Sequence, residues 1–174
     1  MKKSRELSKA SDIIKEANSQ KDATEKLSQD GDKKVKNVER LNKTAEAIAV
    51  NLPKEEQQRL KKEMEKAYKE GENDYKETEK EMGEHLKDEN EQVKEFDEAK
   101  KDAKEDQEKL KKVERESKGA AFYNEIKEME DNIGKIAQDF TKASKEMQSD
   151  ANKGQDTKKK QTERVVRAKP KLKI

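Results

Sequence analysis

Cysteine and tryptophan are absent from this chain of 174 residues, histidine occurs once, proline twice and glycine six times. Without cysteine there is no disulfide framework, no thiolate nucleophile and no cysteine-based zinc site. Large apolar residues are scarce as well: leucine, isoleucine, valine and phenylalanine together number 25 of 174. That share lies below the roughly one-fifth at which disorder becomes a serious expectation. It is also too small to fill the core of a sandwich, a barrel or a doubly wound sheet. The longest apolar-looking stretch, residues 45–52, is interrupted by Glu46 and Asn51 and falls far short of the ~20 residues that span a bilayer. Met1-Lys2-Lys3-Ser4-Arg5 leads into charged sequence instead of an apolar h-region, so no signal peptide is expected and the chain reads as soluble and cytoplasmic.

What the chain has in quantity is charge. Lysine and arginine number 43 and aspartate and glutamate 41, leaving a net charge of only +2. This near-balance removes the high net charge that marks many disordered chains, and leaves long helices that each bury a narrow seam, alongside partial disorder outside residues 118–152. Few prolines and glycines permit such helices. Val38, Leu41, Ala45, Ile48 and Leu52 step by three and four residues. Phe122, Ile126, Met129, Ile133, Ile136, Phe140, Ala143 and Met147 do the same over more than two heptads, which is the strongest periodic signal in the sequence.

The expected fold is all-α: long amphipathic helices forming an antiparallel hairpin, a small bundle or a coiled coil, with a disordered basic tail. Residues 1–52 read as helical segments broken near 30–32, where Asp30-Gly31-Asp32 is a turn signal, with Leu7, Ala10, Ile14 and Ala17 on one stripe. Pro53 fits the first turn of the next helix, where its missing N–H costs nothing. Residues 53–117 read as a long acidic helix with a possible break at 71–74. Its seam is polar or small at Gly71, Glu89, Lys100 and Gln107, which restricts register at the expense of stability. Gly119 shifts the register before the strong heptad helix of 118–152, which is expected to end near Asn152-Lys153-Gly154. Residues 153–174 read as a basic flexible tail.

Charge is distributed unevenly along these segments. Residues 53–117 carry a net −6 and residues 153–174 a net +7. In the tail, Val166, Ala168, Pro170, Leu172 and Ile174 alternate with Arg167, Lys169, Lys171 and Lys173. Period two is the spacing of a strand. The tail, from 158 to 174, is therefore open to three readings: a strand docking on a partner's sheet edge, a basic patch for nucleic acid or anionic lipid, or a solvated end. Its candidate contacts are Arg164, Arg167, Lys169, Lys171 and Lys173. Aromatic interleaving for nucleic acid is missing, since all six aromatic residues lie between Tyr68 and Phe140.

Catalytic constellations are not apparent. There is no glycine-rich phosphate loop, no Gly-x-Ser-x-Gly and no second histidine to support a nucleophile. His85 is flanked four residues away on either side by Glu81 and Glu89, but one helix face offers no shaped metal cavity, and a polar residue at the seam edge explains it better. No enzyme, cofactor or small-molecule substrate is expected.

Lys118-Gly119-Ala120-Ala121-Phe122-Tyr123-Asn124-Glu125-Ile126 and the apolar spacing that follows it, residues 118–145 in all, resemble the last helix of the V-shaped domain of ALIX-type adaptors of the ESCRT membrane-scission system. That resemblance implies a helical arm that binds tyrosine-proline late-domain peptides, with Phe122 at the groove. The residues themselves point to a non-catalytic scaffold or adaptor acting through helix-to-helix contact or self-association, with Phe122, Ile126, Met129, Ile133, Ile136, Phe140 and Met147 as its seam. Two other classes stay open. One is a secretion substrate, chaperone or stalk protein recognised through its tail, for which Tyr75-Lys76-Glu77-Thr78-Glu79 is a loose export-like pattern. The other is nucleic-acid or anionic-membrane binding through the basic end.

Overall fold

The computed structural model describes residues 2–116, 119 and 122–170, with side chains at Asp12 and from Ile14 onward. Three α-helices account for nearly all of them: α1 over Lys2–Ala49, α2 over Lys54–Glu116 and α3 over Tyr123–Arg167. No strand occurs among the described residues. Two compact units form, one from Met1–Asp22 with Lys87–Ala151 and the other from Ala23–Leu86 with Asn152–Ile174. Each takes a portion of all three helices.

The helix ends follow local chemistry. Pro53 stands immediately before α2, and its carbonyl accepts the first helical bond from the Gln57 N–H at 2.9 Å. The Gln57 side chain then donates to the carbonyls of Ala49 and Leu52, both at 2.9 Å, satisfying acceptors that the end of α1 leaves open. Glu55 and Glu56 in the first turn of α2 and Arg115 in its last suit the helix dipole. Gly119 has φ +90°, a left-handed conformation that costs glycine little, and it lies between α2 and α3.

All three breaks expected within the helical segments are absent. Asp30-Gly31-Asp32, Gly71-Glu72-Asn73-Asp74 and Asn152-Lys153-Gly154 are helical throughout. In each, the glycine lies at a seam and makes room for a neighbouring helix. A methyl group on Gly71 would lie 2.7 Å from Val38 Cγ2, and one on Gly154 would lie 2.7 Å from Leu86 Cδ2 and 3.1 Å from Thr24 Cγ2. The basic segment is corrected in the same way. Residues 153–167 belong to α3, so neither a flexible tail from 153 nor a strand through Val166 and Arg167 forms. Lys171, Leu172, Lys173 and Ile174 lie outside the described residues, as do the side chains of Leu7 and Ala10.

In the first unit, Ala17 of α1, Val93 and Phe96 of α2, and Phe140 and Met147 of α3 form one core cluster. The Phe96 and Phe140 rings stand 6.2 Å apart and tilted by 41°. The core of the second unit is smaller and more polar. Val35, Tyr75 and Val165 meet there, and the Tyr75 hydroxyl lies 3.0 Å from Thr162 Oγ1 and donates to the Lys158 carbonyl at 3.2 Å. Gln161, buried, donates to the Ser28 carbonyl at 2.9 Å. Expected polar seam positions are found where the period puts them: Glu89 is fully buried, and Gly71, Lys100 and Gln107 are half-buried.

Candidate functional site

The seam predicted on α3 divides into two columns, each with a seven-residue repeat. Ile126, Phe140 and Met147 are buried, and Ile133 between them is half-buried. Phe122, Met129, Ile136 and Ala143 form the second column. Ile136 and Ala143 pack against the core cluster, whereas Met129 is 37% exposed and Phe122, in the turn that opens α3, is 52% exposed. Ala137, Ser144 and Ala151, also seven residues apart, form a third column of small residues that is buried beside the first. The second column thus packs on the core at Ile136 and Ala143 and comes to the surface at its Phe122–Met129 end.

The same division occurs on α1. Val38 and Ala45 are buried, while Leu41 and Ile48, seven residues apart, are 51% and 49% exposed. These two line an apolar cavity of about 200 Å³ with Leu60, Met64 and Ala67 of α2, closed at one side by Ala168 and Pro170. The cavity continues along the α1–α2 groove past Thr44 to Gly71 and Asp74. Charge along the groove is mixed: Glu63, Glu70 and Asp74 on α2 and Arg40 on α1 line it, and Lys34 Nζ donates to the Asp74 carbonyl at 3.1 Å. Glu77, Glu81 and Glu84 continue the exposed acidic spacing of four and three residues along α2 in this unit. Leu41 and Ile48 were legible as seam residues.

Basic residues proposed as tail contacts are placed differently from one another. Arg164 is turned onto α1: Nε and Nη2 bind the two carboxylate oxygens of Glu39 at 2.8 and 2.9 Å, and Nη1 binds Asp32 at 2.9 Å. The Arg164 guanidinium holds the Glu39 carboxyl below its ordinary range, and Lys36 and then Arg164 do the same for Asp32. Arg167 is exposed with Glu163 at 3.8 Å, Lys169 is exposed, and Lys171 and Lys173 lie outside the described residues. His85 Nε2 lies 2.7 Å from Thr24 Oγ1, hydrogen-bonded across the α1–α2 seam. Among the described residues no three histidine, aspartate or glutamate side chains gather into a metal-holding group, and no helix is long and apolar enough to cross a membrane.

The chain matches no protein-family model, and neither a curated protein nor a solved structure is significantly similar to it. Function must therefore be argued from the surfaces just described.

Proposed function

We propose that the protein is a non-catalytic helical scaffold or adaptor, built as a small bundle of coiled-coil type, that works by taking further helices onto the apolar columns its own packing leaves at the surface. The observation that carries this reading is the heptad spacing of those columns. Isolated exposed hydrophobic residues need no explanation. Here they come in pairs seven residues apart, Leu41 with Ile48 and Phe122 with Met129, each pair half-exposed in register beside a buried column. Such spacing presents ridges that another helix can meet at every second turn. Arg164, one of the five candidate contacts of the basic segment, is held by Glu39 and Asp32, which favours the columns over the tail.

The test combines circular dichroism with light-scattering mass over a concentration series, and titration with fluorescently labelled amphipathic helical peptides. Full chain is compared with the Phe122→Asp, Met129→Asp and the Leu41→Asp, Ile48→Asp double variants. The reading expects self-association or peptide binding that is lost on substitution while helicity is kept. A chain that stays monomeric at all concentrations and binds none of the peptides would sink it.

A further inference from the structure

We infer that Glu114 and Glu130 form a proton-operated clasp, holding the first turns of α3 against the end of α2 while they share one proton and loosening once both are ionised. The inference stands apart from the adaptor reading. α2 ends at Glu116, α3 starts at Tyr123, and the chain between them passes through Gly119. Across this turn the Tyr123 hydroxyl donates to Glu114 Oε1 at 3.0 Å. Further along α3, the Glu130 carboxyl meets that of Glu114 within hydrogen-bonding reach. The Glu130 side chain is 12% exposed, and its Oε2 is enclosed and receives no hydrogen bond from the described residues.

An ionised carboxyl only accepts hydrogen bonds, so two in contact have no proton to place between them and repel. A proton on Glu130 removes both faults. Its oxygen becomes a donor and Glu114 the charged acceptor, which is the stronger kind of hydrogen bond. The surroundings decide which carboxyl keeps the proton. Glu114 is held below the ordinary glutamate range by Glu130, by the Tyr123 hydroxyl, and by Lys127 and Arg115 nearby. Glu130 is pushed above that range by Glu114, by its own burial and by Asp131, against Lys111 Nζ at 3.9 Å on a half-exposed side chain. The described charged groups facing the pair are thus Lys111 and Arg115 on α2 and Lys127 and Asp131 on α3. A carboxyl whose folded value is raised, as at Glu130, gives stability that is complete below its unfolded value of about 4.3 and lost as pH rises through the folded one. Glu114, lowered, gives stability that is complete above that unfolded value and lost as pH falls through its folded one. The clasp is therefore tightest near the ordinary glutamate value, and rising pH releases it as Glu130 loses its proton. The turns it frees carry Met129 and adjoin Phe122, the exposed pair of α3.

The test uses the full chain, with side-chain carboxyl carbons followed by NMR from about pH 3 to about pH 8. Glu130 is expected to titrate above the ordinary glutamate value and Glu114 below it. In Glu114→Gln the Glu130 midpoint should fall, because its like-charged neighbour is gone. Amide-exchange protection, corrected for the intrinsic pH dependence of exchange, supplies the conformational readout. Protection of residues 127–130, taken relative to residues 93–99 in the core, should drop at least about threefold as pH rises through the Glu130 midpoint. Glu130→Gln should remove that drop, since an amide donates to Glu114 at any pH. Glu130 titrating at or below the ordinary value would overturn the inference. So would a Glu130 midpoint that stays put in Glu114→Gln, a relative protection that is flat across the midpoint, or a drop that survives in Glu130→Gln. The first and third of these outcomes are read on the unaltered chain, so they decide the matter even where a substituted chain fails to fold.

Discussion

Gly71 shows how a single missing side chain sets the distance between helices. Alanine in a helix is favoured over glycine by about 1 kcal/mol. At Gly71 a methyl group would lie 2.7 Å from Val38 Cγ2, and valine is held to one rotamer in a helix, so it cannot step aside cheaply. Overpacking of this kind costs about 1–3 kcal/mol and outweighs the propensity gain. Gly83 is the control, because a methyl group there meets only the Lys158 ammonium at 3.3 Å, the end of a flexible chain. Urea unfolding followed by circular dichroism should find Gly71→Ala destabilised and Gly83→Ala stabilised by up to about 1 kcal/mol. The opposite order would show that the helices are not packed as described. The sequence suggests a turn at Gly31, a break at Gly71 and a helix end near Gly154, and each of these glycines has asparagine or aspartate within two residues. Local composition cannot distinguish a glycine that ends a helix from one that admits a neighbour.

Arg164 has a different residue-scale consequence, one that depends on pH. Its fork onto Glu39 and its bond to Asp32 are each about one-third exposed, so their net stabilisation is modest, about 1 kcal/mol. Both carboxyls are held below their ordinary range, Glu39 by Arg164, and Asp32 by Lys36 first and Arg164 second. A carboxylate whose folded pKa is lowered gives stability that is complete above its unfolded value of about 4 and is lost as pH falls through the folded one. Arg164→Gln should therefore lower the unfolding midpoint at neutral pH and lose less on going to about pH 3, with the Lys36 contribution at Asp32 remaining. Parallel acid limbs for the two proteins would contradict this linkage.

At the scale of the element, α3 shows how far a period can be followed. The run from Phe122 to Met147 makes the helix evident, and Ile126, Phe140 and Met147 within it are buried. Beyond Met147 the same inner column continues through Gly154, Gln161 and Ala168, all buried. No hydropathy pattern marks those residues, since one has no side chain, one is polar and one is a methyl group. Gln161 is satisfied by its bond to the Ser28 carbonyl, which lets an amide occupy a core position at little cost. This is why a helix reaching Arg167 read as a helix ending near Gly154. The columns also differ in what substitution does to them. Phe96→Ala, removing a fully buried ring packed on Phe140, should destabilise by about 3–5 kcal/mol. Phe122→Ala, at a residue half in water, should cost under about 1 kcal/mol. Thermal melts showing equal losses would mean that the column at the surface is covered in solution, and the mass measured by light scattering would identify another copy as the cover.

For the whole molecule, composition argues against a large core, and the apolar content of the described residues is divided between two small clusters of unequal quality. One holds Phe96, Phe140, Met147 and Val93, with Ile136 packed on it. The other holds Val35, Tyr75 and Val165, and Thr24, Thr78 and Gln161 are buried in the same unit. Fully burying a large apolar side chain contributes ~1.5–3 kcal/mol, whereas a satisfied buried hydrogen bond contributes about 0.5–1.5 kcal/mol. Local stability should follow that difference. Native-state hydrogen exchange is expected to show the amides of residues 93–99 and 136–147 exchanging at least about tenfold more slowly than those of residues 28–38 and 158–165, since each factor of ten corresponds to about 1.4 kcal/mol. Both groups lie in helix interiors, so backbone hydrogen bonding alone predicts no such gap. Uniform protection would mean that the two clusters open together and that helix continuity, not side-chain burial, sets the stability of each. A slower second cluster would mean that its polar contacts, Tyr75 to Thr162 and Arg164 to Glu39 and Asp32, outweigh the phenylalanine pair of the first.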